Sequence, residues 1–305
     1  MKSWQGFKFI ICLTLMLAGL VACSSSEYYR EKSVKRIAAP VFLLPRKIEV
    51  APFTVQAYER VYEQGAPTML YIEGDGNDFD TLESDPGPTN PVGLRLATMD
   101  GKTNVVYLAR PCQLVGEADE CPEKFWEEAR YSGEVLDSMS RALDNIKAAH
   151  GVTGFHIVGY DGGAAVGAGL AAVRNDVLSL RSVAGILDTR FYANINNRPS
   201  VDNSFNPIEL ASDLADLPQR HFVGQLDDQV PPALFHSYDQ AMGEPNCSEM
   251  SIVDNATHED GWVEQWKVLL SMPLTCSVEV NRQVEIYDPA VTIDYDGNKG
   301  IGYSK

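Results

Sequence analysis

Apolar residues along this 305-residue chain fall into two alternating patterns. Short uninterrupted runs, rich in β-branched and aromatic side chains, occupy 68–74 (TMLYIEG), 103–110 (TNVVYLAR), 155–160 (FHIVGY), 181–188 (RSVAGILD), 220–227 (RHFVGQLD) and 249–254 (EMSIVD). Runs of this kind suit strands covered on both faces. Between them the spacing turns helical. Val135, Leu136, Met139, Leu143 and Ile146 recur three and four residues apart within 123–149, and Gly151 ends the pattern. GGAAVGAGLAAVR (162–174) reads as a helix whose small-residue face packs close to a sheet, and GWVEQWKVLL (261–270) as an amphipathic helix. Strand–helix alternation predicts an α/β domain with a mainly parallel sheet and helices on both faces. No internal repeat is visible. Two stretches depart from the alternation. Residues 189–217 read as loop-rich and cross the top of the sheet. Residues 277–305 read as a polar, solvated extension; their D-x-D-G-N core lacks the rest of a calcium-loop spacing.

The first 22 residues stand apart. Lys2 and Lys8 lead into FIICLTLMLAGLVAC, an apolar run ending in small residues, which reads as a secretory signal too short for a membrane span. Its end, Leu20-Val21-Ala22-Cys23, resembles a bacterial lipobox, which implies a lipid on Cys23 and anchorage to a membrane through it. Ser24 implies sorting to the outer membrane in enteric-type Gram-negative cells. The expected organisation is a signal over 1–22, a lipidated tether over 23–45, a main domain over 46–276 and the extension over 277–305.

Charge narrows the function. Losing the signal, with its two lysines and no acids, takes the net charge from −17 to −19. Such a chain repels nucleic acid and anionic lipid heads, so no nucleic-acid partner is expected. Of six cysteines, Cys12 leaves with the signal and Cys23 takes the lipid. Four remain in an oxidising compartment, and four allow three connectivities. Cys112 and Cys121 bracket one short loop and are paired on that ground, leaving Cys247 with Cys276. No C-x-x-C or clustered histidine suggests a metal, and no cofactor is called for.

The candidate chemistry centres on Gly159-Tyr160-Asp161-Gly162-Gly163, between an apolar strand and a small-residue helix. That is the layout of a nucleophile elbow, G-x-S-x-G, with aspartate at the serine position. Two further pieces follow in order: FVGQLDDQVPP, where Asp227 leaves a strand ahead of Val230-Pro231, and NATHEDGW, where His258 follows the last strand. Taken singly, Asp161 reads as a turn residue and His258 as a surface histidine. His150, His221 and His236 read as surface loop histidines, and His156 as packed in a strand. The joint order of nucleophile, acid and histidine is what raises Asp161 and His258 above that reading.

On these residues the chain resembles the α/β-hydrolase superfamily, and within it a branch of bacterial lipoprotein hydrolases whose elbow reads G-Y-S-G-G. The resemblance runs from about Met69 to the helix after His258 and includes YIEGDG, NPVGLRLA, VVYLARPC, LPQRHFVG and HEDGW. It implies that Asp161 holds the nucleophile site and that Asp227 orients His258. It also implies an oxyanion hole from Gly162 and from the EGDG turn at Gly74 and Asp75. Asp188 and Asp228 are alternative acids; the Val-Pro after Asp227 matches the family loop.

Aspartate changes what such a site does. It is ionised near neutral pH and needs no base, but attack on an ester gives a high-energy anhydride. It suits displacement at saturated carbon, as in the haloalkane dehalogenases and epoxide hydrolases of this superfamily. Tyr160 replaces the tryptophan that dehalogenases place beside the nucleophile, and 189–217 is short for their cap. Three readings therefore stand: a hydrolase of an ester-like or alkyl substrate using Asp161, a non-catalytic envelope lipoprotein that binds a ligand or partner in the same pocket, and a purely structural surface protein.

Overall fold

A computed structural model describes residues 30–76, 86–115, 121–243, 247–276, 292–296 and 300–304. The leader and Cys23 lie outside the described residues. The described chain begins with helix α1 (30–38) and an antiparallel pair, β1 (Leu44–Val50) and β2 (Phe53–Arg60). Alternation then follows: β3 (Thr68–Ile72), α2 (Val92–Met99), β4 (Val105–Leu108), α3 (Gly133–His150), β5 (Phe155–Tyr160), α4 (Gly162–Val173) and β6 (Val177–Val183). After these come α5 (Thr189–Ile195), β7 (Gln219–Gly224), α6 (Pro232–Met242), β8 (Ser248–Val253) and α7 (Trp266–Ser271). The eight strands form one sheet in the order β1-β2-β4-β3-β5-β6-β7-β8, parallel from β4 onward through β8. This is the α/β-hydrolase fold.

Apolar layers cover both faces, as the uninterrupted strand runs require. On one face Leu136, Met139 and Leu143 of α3 join Val166 and Leu170 of α4 against Leu70, Val106 and Ile157. On the other, Val92 and Leu96 of α2 pack with Trp262 and Trp266 against Tyr71, Tyr107 and Phe222. Helix α3 begins at Ser132, whose hydroxyl accepts the Val135 N–H at 3.4 Å, and stops at Gly151 in the left-handed region (φ 66°). Both expected disulfides are present, Cys112–Cys121 and Cys247–Cys276, with Cα atoms 5.6 and 4.2 Å apart.

Several boundaries differ from the sequence expectation. Residues 30–38 of the expected tether are helical, because Val34 and Ala38 are buried in the second apolar layer. Burying one valine is worth about 1.5–3 kcal/mol, and Ile37 and Val41 pack against the same layer. Strands β1 and β2 and helix α2 were not expected. The hairpin alternates polar and apolar residues at the sheet edge, and α2 is only eight residues long and is interrupted by Arg95 and Thr98. Strand β6 starts at Val177, not 181, and ends at Val183; Ala184 (φ 47°) then turns the chain away. Ser179, Arg181 and Ser182 break its apolar run, which hid the true start. The 189–217 stretch contains α5 and a 3-10 turn, Pro207–Leu214. The expected 261–270 helix shortens to α7. In the expected solvated extension, β9 (Thr292–Asp296) and β10 (Gly300–Ser304) pair as an antiparallel hairpin, with β9 beside α3. The D-x-D-G-N word runs past Asp296, the last residue of β9, out of the described residues. Among the described residues no helix is long and apolar enough to cross a membrane.

Candidate active site

Asp161 follows β5 and caps the N-terminus of α4. Its backbone is strained into φ 49°, ψ −121°, a region that L residues rarely adopt. The turn is locked from several sides. The Asp161 N–H donates to the Val183 carbonyl at 3.0 Å, and its own carbonyl accepts from Ala164 at 3.0 Å and Ile186 at 3.1 Å. At Gly163 a Cβ would lie 2.4 Å from the Ile72 carbonyl oxygen, so only glycine lets α4 cross β3 this closely. The effect is to present the Asp161 side chain at the C-terminal edge of the parallel strands.

His258, after β8, places Nε2 3.5 Å from Asp161 Oδ1, an ion-pair contact longer than a close hydrogen bond. Its Nδ1 faces Asp227 Oδ2 at 3.1 Å. Asp227 is itself fixed, since its Oδ1 accepts the N–H groups of Gln229 and Val230, each at 2.9 Å. The His258 carbonyl accepts from Trp262 Nε1 at 2.9 Å and Tyr160 Oη at 3.2 Å, which pins the loop carrying the ring. The alternative acid Asp188 is committed elsewhere. It caps α5 through the Phe191 N–H and binds Asn206 and Ser237. The structure thus brings Asp161, His258 and Asp227 into one line.

Asp161 Oδ2 accepts the backbone N–H of Asp75 at 2.9 Å, and the Gly162 N–H adds to its stabilisation. These are the two donors expected to form the oxyanion hole, and the aspartate's own oxygen lies against them. Gly74 is not one of them. Its N–H donates to the buried Glu73 carboxylate, which also accepts from Gly93 and Leu94 at the start of α2. The turn after β3 therefore aims one N–H at the elbow, not two.

The Asp75 side chain belongs to a cluster that sequence reasoning missed. Arg110 Nη1 lies 2.7 Å from Oδ1, Arg130 Nη1 3.0 Å from Oδ2, and the Tyr131 hydroxyl donates to Oδ2 at 2.6 Å. A Cβ on Gly162 would fall 1.9 Å from Asp75 Oδ1, so glycine is required beside this carboxylate. The YIEGDG and VVYLARPC words held Asp75 and Arg110, but spacing alone gave no sign that they meet. Tyr192 of α5 feels the charges of Asp161 and Asp75, and burial first and those charges next hold its phenol proton on. Among the remaining histidines, His221 is no surface residue: it is buried in β7 against Ser182 Oγ at 2.8 Å. His150 ends α3 beside Glu59 at 3.1 Å, and His236 lies in α6.

Electrostatics tie the line together. Burial pushes the Asp161 carboxyl up, but the contact and charge of His258 and the N–H groups of Asp75 and Gly162 bring it down to about 2. Burial pulls His258 down, and its contacts with Asp161 and Asp227 and their charges push it up to about 10. At neutral pH the pair is carboxylate and imidazolium. The N-terminus of α4 further favours the anion. Among the described residues no group of three His, Cys, Asp or Glu side chains is arranged to hold a metal.

Comparison with known proteins adds the fold and no more. No family model matches the chain, and no curated protein matches it. Solved structures do. It is similar to Est1E from Butyrivibrio proteoclasticus, at TM-score 0.52 and 11% identity over 74% of this chain and 97% of that one. It is also similar to an alpha-beta serine hydrolase homologue from Coxiella burnetii, at TM-score 0.51 and 15% identity over 74% and 92%. A membrane phospholipase A described as a bacterial virulence factor matches at TM-score 0.51 and 16% identity over 86% and 97%. The chain is a hydrolase-fold protein.

Proposed function

We propose that the protein is an envelope lipoprotein hydrolase that acts at saturated carbon, with Asp161 as nucleophile, Asp227 and His258 as its partners, and a lipid on Cys23. One observation carries the choice of saturated carbon: Asp161 Oδ2 already takes the Asp75 N–H where a substrate carbonyl oxygen would bind. An ester carbonyl has no hole to enter. An alkyl substrate needs none at that stage.

The first step joins Asp161 Oδ1 to the substrate carbon, and the leaving group departs with the bonding electron pair. Asp161 is then a neutral alkyl ester whose carbonyl oxygen, Oδ2, rests on the Asp75 and Gly162 N–H groups. Loss of the Asp161 charge lowers the proton affinity of His258, which gives its proton to solvent, or to the alkoxide of an opened epoxide, and becomes a base. His258 then removes a proton from water, and the hydroxide attacks the Asp161 carbonyl carbon. The oxyanion forms at Oδ2 against donors already in place. Collapse expels the alkoxide, which takes the proton from His258, and leaves Asp161 as a carboxylic acid; its proton then passes to His258 and restores the carboxylate–imidazolium pair. Asp227 holds the ring throughout.

The second reading is a ligand-binding protein without turnover, favoured by the closed carboxylate–imidazolium pair. Turnover separates the two. A panel of terminal epoxides and 1-bromoalkanes is incubated with the protein and with Asp161→Asn. Alcohol or diol formation that disappears in the variant supports the hydrolase; no turnover of any member supports the binding protein.

A further inference from the structure

A pocket of about 380 Å³ opens at the N-terminal end of the parallel strands, away from the elbow. His156 lies near the start of β5 and Asp161 directly follows its end, so about 16 Å of extended chain separates the two sites. Its volume is that of a small-molecule site. Apolar walls come from Met69, Leu270 and Leu274, and the cations Lys102 and Arg181 join them with His156.

Arg181 is the anomaly. It projects from the middle of β6, is 8% exposed, and makes one long bond, from Nη2 to the Met272 carbonyl at 3.4 Å. Its Nε is buried without a partner. Among the described residues no carboxylate lies at ion-pair distance from it. The neighbouring strand gives the contrast. Arg220, in register beside it, is satisfied by Glu249, Ser251 Oγ and the Pro273 carbonyl. Asp100, which moderates the Arg181 charge, is already spent on the Tyr71 hydroxyl and the Lys102 N–H. Glu63 is exposed at the rim and pairs with neither cation among the described residues. A buried guanidinium left this poorly bonded is costly, and guanidinium remains charged at any working pH. Burial weakens its hold on the proton, as does the Arg220 charge, and burial together with the Arg181 and Lys102 charges lowers the proton affinity of His156.

We propose that this pocket binds a small organic carboxylate, its head group on Arg181 and Lys102 and its apolar body against Met69, Leu270 and Leu274. The planar fork of arginine matches a carboxylate with two parallel hydrogen bonds. The apolar walls call for a short aliphatic body behind it. This site is independent of the elbow and of the reaction assigned there.

Calorimetric titration of the intact chain with octanoate, 1-octanol and inorganic phosphate at one ionic strength tests the assignment, with methyl NMR to locate the ligand. Octanoate is expected to saturate at one site and shift the methyls of Met69, Leu270 and Leu274. A charge-assisted pair at a buried arginine predicts about 10- to 100-fold weaker binding for Arg181→Met. Leu270→Trp, at a half-buried position, keeps Arg181 in place and fills the pocket, so it abolishes binding even if the arginine variant does not fold. The proposal is overturned by absent saturation, by octanol or phosphate binding as tightly as octanoate, by shifts at the elbow instead, or by unchanged binding in Leu270→Trp.

Discussion

Replacing Asp161 by asparagine keeps the shape of the side chain and removes its charge, which imitates the electrostatic state of an alkylated carboxylate. The structure sets the size of the response. His258 holds its proton to about pH 10 against an ordinary 6.5, and each pH unit is worth about 1.4 kcal/mol. The two carboxylates therefore outweigh burial by roughly 5 kcal/mol. Both side chains are well enclosed, at 12% and 8% exposed for His258 and Asp161, so solvent screens little of this. With the Asp161 charge gone the burial penalty continues to act, and only Asp227 opposes it. The His258 midpoint should therefore fall clearly below 10, by about one pH unit or more. The assay is an NMR titration of the His258 ring in both proteins. A midpoint that moves by less than half a unit would refute the claim that Asp161 sets the protonation of the base.

The same pair fixes how stability follows pH. Asp161 is depressed on folding, so its contribution is full above about 3.8 and fades as pH falls toward 2. His258 is raised, so its contribution is full below 6.5 and fades as pH rises toward 10. The stability advantage of the protein over Asp161→Asn should peak between about pH 4 and 6.5 in denaturant melts; a flat difference across pH 3 to 9 contradicts the pairing. Gly162→Ala drives a methyl into Asp75 Oδ1 and should cost about 1–3 kcal/mol by chemical denaturation. An unchanged midpoint means that Asp75 does not sit over the elbow. Non-reducing peptide mapping of protein from an oxidising compartment should recover Cys112–Cys121 and Cys247–Cys276, and mass spectrometry of the N-terminal peptide a lipid on Cys23. Free thiols, or a lipid-free Cys23, contradict the secretion reading.

The central strands were legible because burial on both faces leaves an uninterrupted apolar run, and FHIVGY and RHFVGQLD show it plainly. Edge elements were not. In β1 and β2 polar and apolar residues alternate at the margin of the sheet, and β6 carries Arg181 in its middle. The line Asp161–His258–Asp227 was readable because each residue follows a strand within a word of distinctive glycines and prolines. Its closest supports were not, since Arg110, Arg130 and Tyr131 meet Asp75 from distant segments. The assignment of Gly74 failed for a local reason: the preceding Glu73 carboxylate captures its N–H. No pattern in one dimension shows which of two adjacent amides a buried acid will take.

Trapping of the covalent intermediate tests the central claim most directly. His258→Gln retains Asp161 on its donors but removes the base that activates water. Incubated with an epoxide or bromoalkane, this variant should gain the mass of one alkyl group, and peptide mapping should place it on Asp161. The unmodified protein should release the group and show no lasting adduct. An adduct on any other residue, or none on Asp161 in the His258→Gln protein across the whole panel, contradicts the account.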